Sequence, residues 1–217
     1  MSYKKTRLIP GKHQTEEIQK EFIEKMLEEV EEAKSSEGRH VVLNFDPMHQ
    51  THNNENGYMW QKKGKGGTKQ MKSNTGRRRI NILGAIDMVT LDIVPFVTEE
   101  NCHKETIKVF LSEVQKTYFK AKRITIFLDN ARYQRNYEVQ EYAKELGITL
   151  EFMPPYSPNL CLIERLWKFF KKKVIKNTYH ETFEQFEEFI LYFFSEENWK
   201  KMKSELETLL TLNFEII

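Results

Sequence analysis

Three acidic residues in this sequence stand where an acid could bind a metal ion. Asp46 and Asp129 each end a run of apolar or β-branched residues, 40–45 and 124–128, as in strands buried on both faces. Ligands bind at the ends of such strands in open α/β folds. Glu164 follows a proline-rich loop and opens a strongly basic helix. Three such carboxylates suit two divalent cations, Mg²⁺ or Mn²⁺. Two ions about 4 Å apart can hold both oxygens of an in-line phosphoryl displacement.

Each of these acids also has a structural interpretation. Asp129 could cap a following helix, because a carboxylate accepts hydrogen bonds from the free N–H groups at a helix start. Glu164 could be favoured by the dipole of the helix that it opens. The dipole does not explain Lys168 and Lys171, which lie on the same side of the predicted helix as Glu164. This geometry points a carboxylate at the mouth of the sheet and places lysines beside it.

Basic residues are concentrated in two tracts. The net charge is only +2, yet residues 56–86 and 165–176 contain Lys and Arg but no acid, whereas residues 16–32 are rich in Glu. Such segregation favours a phosphate-binding face. A solvated flexible loop is the alternative interpretation of the first tract.

Apolar periodicity predicts an α/β sandwich. The predicted strands cover residues 39–46, 77–88, 89–97, 124–128 and 148–153. The predicted helices cover residues 16–35 with Thr15 as N-cap, 101–121 with Asn101 as N-cap, 133–146, a helix carrying Glu164, and one or two helices over 182–212. We also predict a short aromatic strand over 57–63 and a mobile basic loop over 64–76. Among the residues expected to face the core are Ile18, Phe119 and Phe189.

Several polar residues near the predicted strands are expected to serve local structure. Pro47 should end the first strand, because proline has no N–H for a ladder hydrogen bond. His49 and His52 should then lie in a polar loop. They could bind a metal, but without further ligands nearby a structural role is favoured. Asp87 and Asp92 should occupy a turn and an exposed face, since neither ends a buried apolar run.

Length and composition restrict the class of protein. The 217 residues fit one domain with a substantial core. No apolar segment approaches the roughly 20 residues of a membrane span, and the N-terminus does not resemble a signal peptide. Two cysteines are too few for a disulfide framework. We therefore expect a cytoplasmic protein with free thiols.

Two motifs in the second half resemble a known family. Residues 128–133 (Leu-Asp-Asn-Ala-Arg-Tyr) and 154–167 (Pro-Pro-Tyr-Ser-Pro-Asn-Leu-Cys-Leu-Ile-Glu-Arg-Leu-Trp) resemble the second and third acidic motifs of DDE transposases. The resemblance is greatest to the bacterial insertion-sequence branch of the mariner superfamily. Asp129 and Glu164 have thirty-four residues between them, which is the spacing typical of that branch.

Two further stretches extend the resemblance from about residue 9 to residue 175. Residues 45–49 resemble the first acidic motif, and residues 57–64 resemble the aromatic stretch that follows it. In mariner-type relatives, an insertion at the place of the basic loop reaches toward the other subunit and DNA. The resemblance implies a similar role here.

The resemblance also implies the fold and the domain organisation. It implies a ribonuclease-H-like α/β fold, with a mixed five-stranded sheet of three antiparallel and then two parallel strands, flanked by helices. Residues 1–38 would be a linker and an acidic helix, and residues 39–217 the catalytic domain. The helix-turn-helix DNA-binding region that precedes this domain in the family is not found in the sequence.

The implied function is metal-dependent cleavage and strand transfer of double-stranded DNA at insertion-sequence ends, by a homodimer on DNA in the cytoplasm, associated with the nucleoid. Asp46, Asp129 and Glu164 would hold the two ions, with Asn130, His49 and Asn159 as supporting residues. The residues expected to contact DNA are Lys62, Lys63, Lys65, Lys69, Arg77, Arg78, Arg132, Arg165, Lys168, Lys171 and Lys172. The alternatives are a ribonuclease-H-like nuclease or junction resolvase, and a catalytically inactive transposase-derived DNA-binding module.

Overall fold

The computed structural model describes residues 11–12, 14–53, 55–64 and 67–217. Lys65 and residues 1–10 of the predicted linker lie outside the described residues. The strands are β1 (His40–Thr51), β2 (Arg79–Asp87), β3 (Ile93–Thr98), β4 (Arg123–Leu128) and β5 (Ile148–Phe152). The helices are α1 (Glu16–Ser35), α2 (Lys104–Thr117), α3 (Tyr137–Glu145), α4 (Ile163–Phe170), α5 (Phe183–Phe193) and α6 (Glu196–Leu209). Within the described ranges, no helix combines the length and the apolar composition that a membrane span requires.

The five strands form one mixed sheet in the order β3-β2-β1-β4-β5. Neighbouring strands among β1, β2 and β3 are antiparallel, whereas β4 is parallel to β1 and β5 is parallel to β4. The antiparallel strands β2 and β3 are joined by a short turn, in which the Asp87 carboxylate accepts hydrogen bonds from the N–H groups of Val89 and Thr90. The parallel strands are joined through α2 and α3, because parallel neighbours require a crossover. The predicted fold is confirmed.

Helices cover both faces of the sheet and form two core layers. Val42 and Met48 of β1 face the layer that contains α1, α4, α5 and α6, whereas Leu43 and Phe45 face the layer with α2 and α3. Side chains alternate along a strand, so Asp46 belongs to the face that α4 covers. On β4, Phe127 lies in that same layer, which assigns the following strand-end acid to the same side.

The first strand does not end at Asp46, as the sequence predicted. β1 continues to Thr51, and Pro47 is aligned with Leu83 of β2. The pairing with β4 stops at Asn44, so one edge of β1 is open where the proline occurs, and proline is tolerated at such an edge. The prediction of a polar loop here was therefore wrong, and His49 is an exposed strand residue.

His52 follows the end of β1 and has a structural role. Its Nε2 atom lies 2.9 Å from the His180 carbonyl oxygen, and its ring contacts the rings of Phe183 and Phe186 at centroid distances of 5.7 and 5.2 Å. Because Nε2 lies within hydrogen-bond distance of a carbonyl oxygen and the ring packs against two phenylalanine rings, His52 is not arranged as a metal ligand. The structural interpretation of His52 is thus the one that the contacts support.

Two local predictions about helices were wrong. α2 is capped by His103, whose side chain accepts the Thr106 N–H, rather than by Asn101. α3 begins at Tyr137 rather than near residue 133, because the Asn136 side chain caps it. Thr15 is the N-cap residue of α1, as predicted, although its side chain makes no capping hydrogen bond.

The remaining corrections concern exposed residues. Ile18, Phe119 and Phe189 were expected in the core but are 42%, 69% and 49% exposed. The predicted strand over 57–63 does not form, and Tyr58 and Trp60 are fully exposed. A strand requires a partner, and this stretch has only an isolated bridge before it, between Glu55 and Lys176.

Candidate active site

Three carboxylates line one cavity at the end of the central strands. Asp46 lies on β1, Asp129 follows β4 directly, and Glu164 lies in the first turn of α4. The cavity has a volume of about 410 Å³, and its wall is completed by Asn130, Cys161 and residues 153–158. Acids from three separate parts of the chain therefore face a common space.

Burial and repulsion from neighbouring carboxylates raise the proton affinity of Asp46 and Glu164. Burial, together with the charges of Asp129 and Glu164, raises the pKa of Asp46 to about 8. The indole N–H of Trp167 donates to Asp46 Oδ2 at 3.0 Å, which partly offsets that rise. Burial also raises the pKa of Glu164, although the ammonium group of Lys168 opposes this. The cavity thus concentrates negative charge that a cation would stabilise.

Gly84 makes room for the indole that contacts Asp46. It is aligned with Asp46 across the β1–β2 pair. A Cβ atom at this position would lie 2.6 Å from Cη2 of Trp167 and 3.1 Å from Cδ1 of Ile163. The absence of a side chain on β2 therefore lets α4 approach the sheet closely enough for the Trp167–Asp46 hydrogen bond.

Hydrogen bonds also fix the segment that carries Asp129. Its Oδ1 atom accepts the N–H of Ala131 at 3.0 Å, so the side chain stabilises the turn after β4. The neighbouring Asn130 amide donates to the Met153 carbonyl oxygen. Asn130 lines the cavity and joins the Asp129 turn to the loop on the opposite wall.

The donor set of the cavity fits hard divalent cations. All three acids offer carboxylate oxygens, which Mg²⁺ and Mn²⁺ prefer. Among the described residues, the group of acidic and histidine side chains whose ligand atoms all lie within 4.8 Å of one another is Glu29, Glu32 and His40. The carboxylate oxygens of Asp46, Asp129 and Glu164 are spaced more widely than this. The wider spacing leaves space for the waters that Mg²⁺ retains.

The Glu29, Glu32 and His40 group lies between α1 and the start of β1 and already has a cationic partner. Arg123 forms ion pairs with both glutamates, at 2.8 Å to Glu32. The Thr125 hydroxyl donates to Glu29 at 3.0 Å. These contacts explain the cluster as a link between α1 and the sheet.

The basic residues of α4 and the turn after it differ in their contacts. The Lys168 ammonium is 78% exposed and lies 4.0 Å from Glu164, and Lys172 is also exposed. Lys171 forms an ion pair with Glu55 at 3.3 Å. The Arg165 guanidinium instead donates to the carbonyl oxygens of residues 211 and 213, each at 2.6 Å. Arg165 therefore holds the C-terminal segment in place.

Most of the other predicted DNA-contacting residues are exposed. The exposed set within the described residues comprises Lys62, Lys63, Lys69, Arg77, Arg78 and Arg132. Arg78 also has structural partners, since it pairs with Glu99 at 2.9 Å and lies 3.5 Å from the centroid of the Phe183 ring.

The first basic tract, residues 56–86, is tied at two places to the segment after α4. The Gly57 N–H donates to the Asn177 side chain at 3.0 Å, and the Asn177 N–H donates to the Glu55 carbonyl oxygen at 3.0 Å. Further along the tract, the Asn74 side chain donates to the His180 carbonyl oxygen at 2.7 Å. The two basic tracts are consequently adjacent in the fold.

Of the three predicted supporting residues, only Asn130 lines the carboxylate cavity. His49 lines a second cavity with Arg79 and Tyr133. Asn159 donates to the Gln19 side chain at 2.8 Å and to the carbonyl oxygen of residue 215 at 2.7 Å, so it joins α1 to the C-terminal segment.

Sequence reasoning missed Asn44, Gly84 and Trp167. The sequence analysis recognised Trp167 only as the last residue of the 154–167 motif, and nothing in the sequence indicates that its N–H reaches Asp46. Asn44 offered a signal, because it is a polar residue within an apolar run. Gly84 likewise interrupts an apolar strand, which is typical of a close approach by another group.

The sheet order and the helices on both faces define a ribonuclease-H-like domain of the kind found in transposases and integrases. The model of the family described as "DDE superfamily endonuclease" matches residues 42–187. The chain belongs to this family. Among curated proteins, none matches the chain.

Solved structures of the Mos1 transposase share the fold. The Mos1 paired-end complex with the left transposon end has a TM-score of 0.66 at 13% identity, over 97% of this chain and 68% of that chain. The Mos1 mariner paired-end complex with Mn gives 0.65 at 14% identity, over 99% and 68%. The Mos1 catalytic domain with Raltegravir and Mn gives 0.55 at 11% identity, over 88% and 90%.

Proposed function

We propose that this chain is the catalytic domain of a DNA transposase that cleaves and joins DNA strands at the ends of an insertion sequence. The observation that carries the proposal is the gathering of Asp46, Asp129 and Glu164 around one cavity. Family membership supports the assignment of this cavity as the DDE site, and structures of Mos1 that contain Mn and Mg support divalent cations as cofactors.

Two Mg²⁺ or Mn²⁺ ions would be held by the three carboxylates. When bound, such ions supply Lewis-acid stabilisation of phosphate oxygens and lower the pKa of water. The chain itself keeps the carboxylates in place. Trp167 orients Asp46 by its indole N–H, and the backbone N–H of Ala131 orients Asp129.

The proposed chemistry consists of two displacements at phosphorus. In cleavage, the oxygen of water forms a bond to phosphorus and the bond to the 3′-oxygen breaks, leaving a 3′-hydroxyl and a 5′-phosphate. In strand transfer, the 3′-hydroxyl oxygen attacks a target phosphodiester and a target 3′-oxygen leaves with a proton. Both reactions develop negative charge on phosphate oxygens, which Lys168 at the cavity edge would stabilise.

The two adjacent basic tracts are proposed to bind the backbone of double-stranded DNA. Lys168, Lys172 and the exposed lysine and arginine side chains of residues 56–78 would contact phosphates. Phosphate contacts give affinity for DNA with little sequence preference. We do not assign a DNA contact to Arg165, because its guanidinium donates hydrogen bonds to the C-terminal segment. From the resemblance to mariner-type transposases, we further propose a homodimer on DNA and a nucleoid-associated, cytoplasmic location.

The test is a nicking and strand-transfer assay on element-end DNA, with Mg²⁺ or Mn²⁺ and with EDTA. We expect metal-dependent products that are lost in Asp129→Asn and Glu164→Gln. The matched control is Glu205→Gln, because Glu205 pairs with Lys173 and does not line the carboxylate cavity. Equal cutting by the parent and both cavity variants would refute the assignment.

RNA–DNA hybrids and branched DNA belong in the same assay. Preferential cutting of either substrate would favour the nuclease or resolvase alternative. Salt-sensitive DNA binding without Mn²⁺ binding would favour the inactive module.

A further inference from the structure

Asn44 is a buried amide in the middle of the apolar strand β1. It is 0% exposed and lies two residues before Asp46, aligned with Phe127 of β4. Burial of an amide without hydrogen bonds costs several kcal/mol, so the contacts that satisfy it are informative. By strand alternation it projects from the same face as Asp46, toward α4.

The Asn44 side chain bonds to the segments that carry the other two acids. Its Oδ1 atom accepts the N–H of Ile163 at 2.9 Å, and the Cys161 thiol lies 3.5 Å from the same oxygen. Its Nδ2 atom donates to the Phe127 carbonyl oxygen at 3.4 Å. Ile163 immediately precedes Glu164, and Phe127 lies two residues before Asp129.

The bond to Ile163 replaces a missing helix cap. The first N–H groups of a helix have no partner within it, and the residue before α4, Leu162, provides no capping side chain. Asn44 supplies the acceptor from a neighbouring strand instead. The first turn of α4, which contains Glu164, is therefore fixed relative to the strand that contains Asp46. The longer bond to Phe127 is weaker, and pairing of β1 with β4 supports the same connection.

We propose that Asn44 is a positioning residue that sets Glu164 in register with Asp46 and Asp129 for cation binding. This inference rests on the proposed function, in which the three acids hold divalent ions. Residues that orient metal ligands by hydrogen bonds typically contribute 10- to 100-fold to metal affinity. Asn44 would act in this way through the backbone of its neighbours, without contacting the metal.

The experiment compares Mn²⁺ binding by the full chain, Asn44→Leu and Thr125→Val, using calorimetric titration. Asn44→Leu removes the donor and the acceptor while keeping the branched shape and the number of side-chain heavy atoms. Thr125→Val is the matched control, because Thr125 of β4 is equally buried, its hydroxyl bonds Glu29, and it does not line the carboxylate cavity. We expect Asn44→Leu to raise the Mn²⁺ dissociation constant at least about tenfold and Thr125→Val to change it less than about twofold. Equal affinity of Asn44→Leu and the parent overturns the inference.

The outcomes separate this inference from the proposed function. A parent chain that binds Mn²⁺ in the cavity, with loss in Asp129→Asn but not in Asn44→Leu, refutes only the positioning role. A parent chain that binds no Mn²⁺ refutes both.

A second measurement needs no variant and covers the case in which Asn44→Leu does not fold. Amide hydrogen exchange of Ile163 in the parent chain should be slow without metal and slower with Mg²⁺, because a fixed Glu164 stabilises the first turn of α4. Exchange at Ile163 that is unaffected by Mg²⁺ contradicts the inference.

Discussion

Replacing Asp46 with Asn should stabilise the metal-free chain, and the gain should grow with pH. The folded state raises the pKa of Asp46 from 3.8 to about 8, so ionisation of this carboxyl opposes folding. A raised carboxyl pKa contributes stability that is full below the unfolded value near 4 and is lost as pH rises through 8. Asn cannot ionise, and its side-chain oxygen still accepts the Trp167 N–H.

The size of the effect follows from the pKa of Asp46. Each pKa unit corresponds to about 1.4 kcal/mol, so the difference in unfolding free energy between Asp46→Asn and the parent should grow by at most about 4 kcal/mol from pH 5 to pH 8. Water entry and rearrangement of the neighbouring carboxylates raise the effective dielectric constant. We therefore expect a growth of about 1–3 kcal/mol.

Urea unfolding in EDTA at pH 5, 6, 7 and 8 measures this difference, with Asp92→Asn as control because Asp92 is exposed. Adding Mn²⁺ at pH 8 should then stabilise the parent more than Asp46→Asn, since the ion binds the ionised carboxylate. A difference that is independent of pH, or a parent more stable than the variant in EDTA at pH 8, would refute the electrostatic reasoning.

Three further predictions address the surroundings of the site. Gly84→Ala should lower the free energy of unfolding in urea by about 1–3 kcal/mol, because the added Cβ would lie 2.6 Å from Trp167. The variant should also cleave DNA strands more slowly. An unfolding free energy equal to that of the parent would contradict the close packing of α4 on β2. Lys168→Gln should lower the salt slope of DNA binding by about 1, while Lys200→Gln, on the exposed face of α6 and paired with Glu196 at 2.5 Å, should leave it unchanged. Trp60→Ala should change unfolding by less than about 0.5 kcal/mol, because Trp60 is fully exposed, yet weaken DNA binding measured by fluorescence anisotropy; unchanged DNA binding would remove this loop from the proposed interface.

Periodicity and apolar runs predicted most of the fold. The 16–35 helix forms with the predicted bounds, because its apolar residues recur at helical spacing and Gly38 follows. The strands before Asp46 and Asp129 are buried, as their uninterrupted apolar composition indicated. These helices and strands follow from the local pattern of apolar residues, and that pattern can be recognised in a single sequence.

Features that depend on long-range contacts were not predictable. β1 continues past Pro47 because β2 still pairs with it there, whereas its pairing with β4 has already ended. Residues 46–48 alone do not indicate this pairing. The hydrogen bond from Trp167 to Asp46 spans 121 positions of sequence. Phe119 looked like a core residue by its type, but α2 ends at Thr117, before the position could face inward.

Anomalous diffraction from crystals soaked in Mn²⁺ shows directly whether the three carboxylates share bound cations. We expect Mn²⁺ peaks coordinated by Asp46, Asp129 and Glu164. Peaks confined to Glu29, Glu32 and His40, with no Mn²⁺ among the three cavity carboxylates, would contradict it.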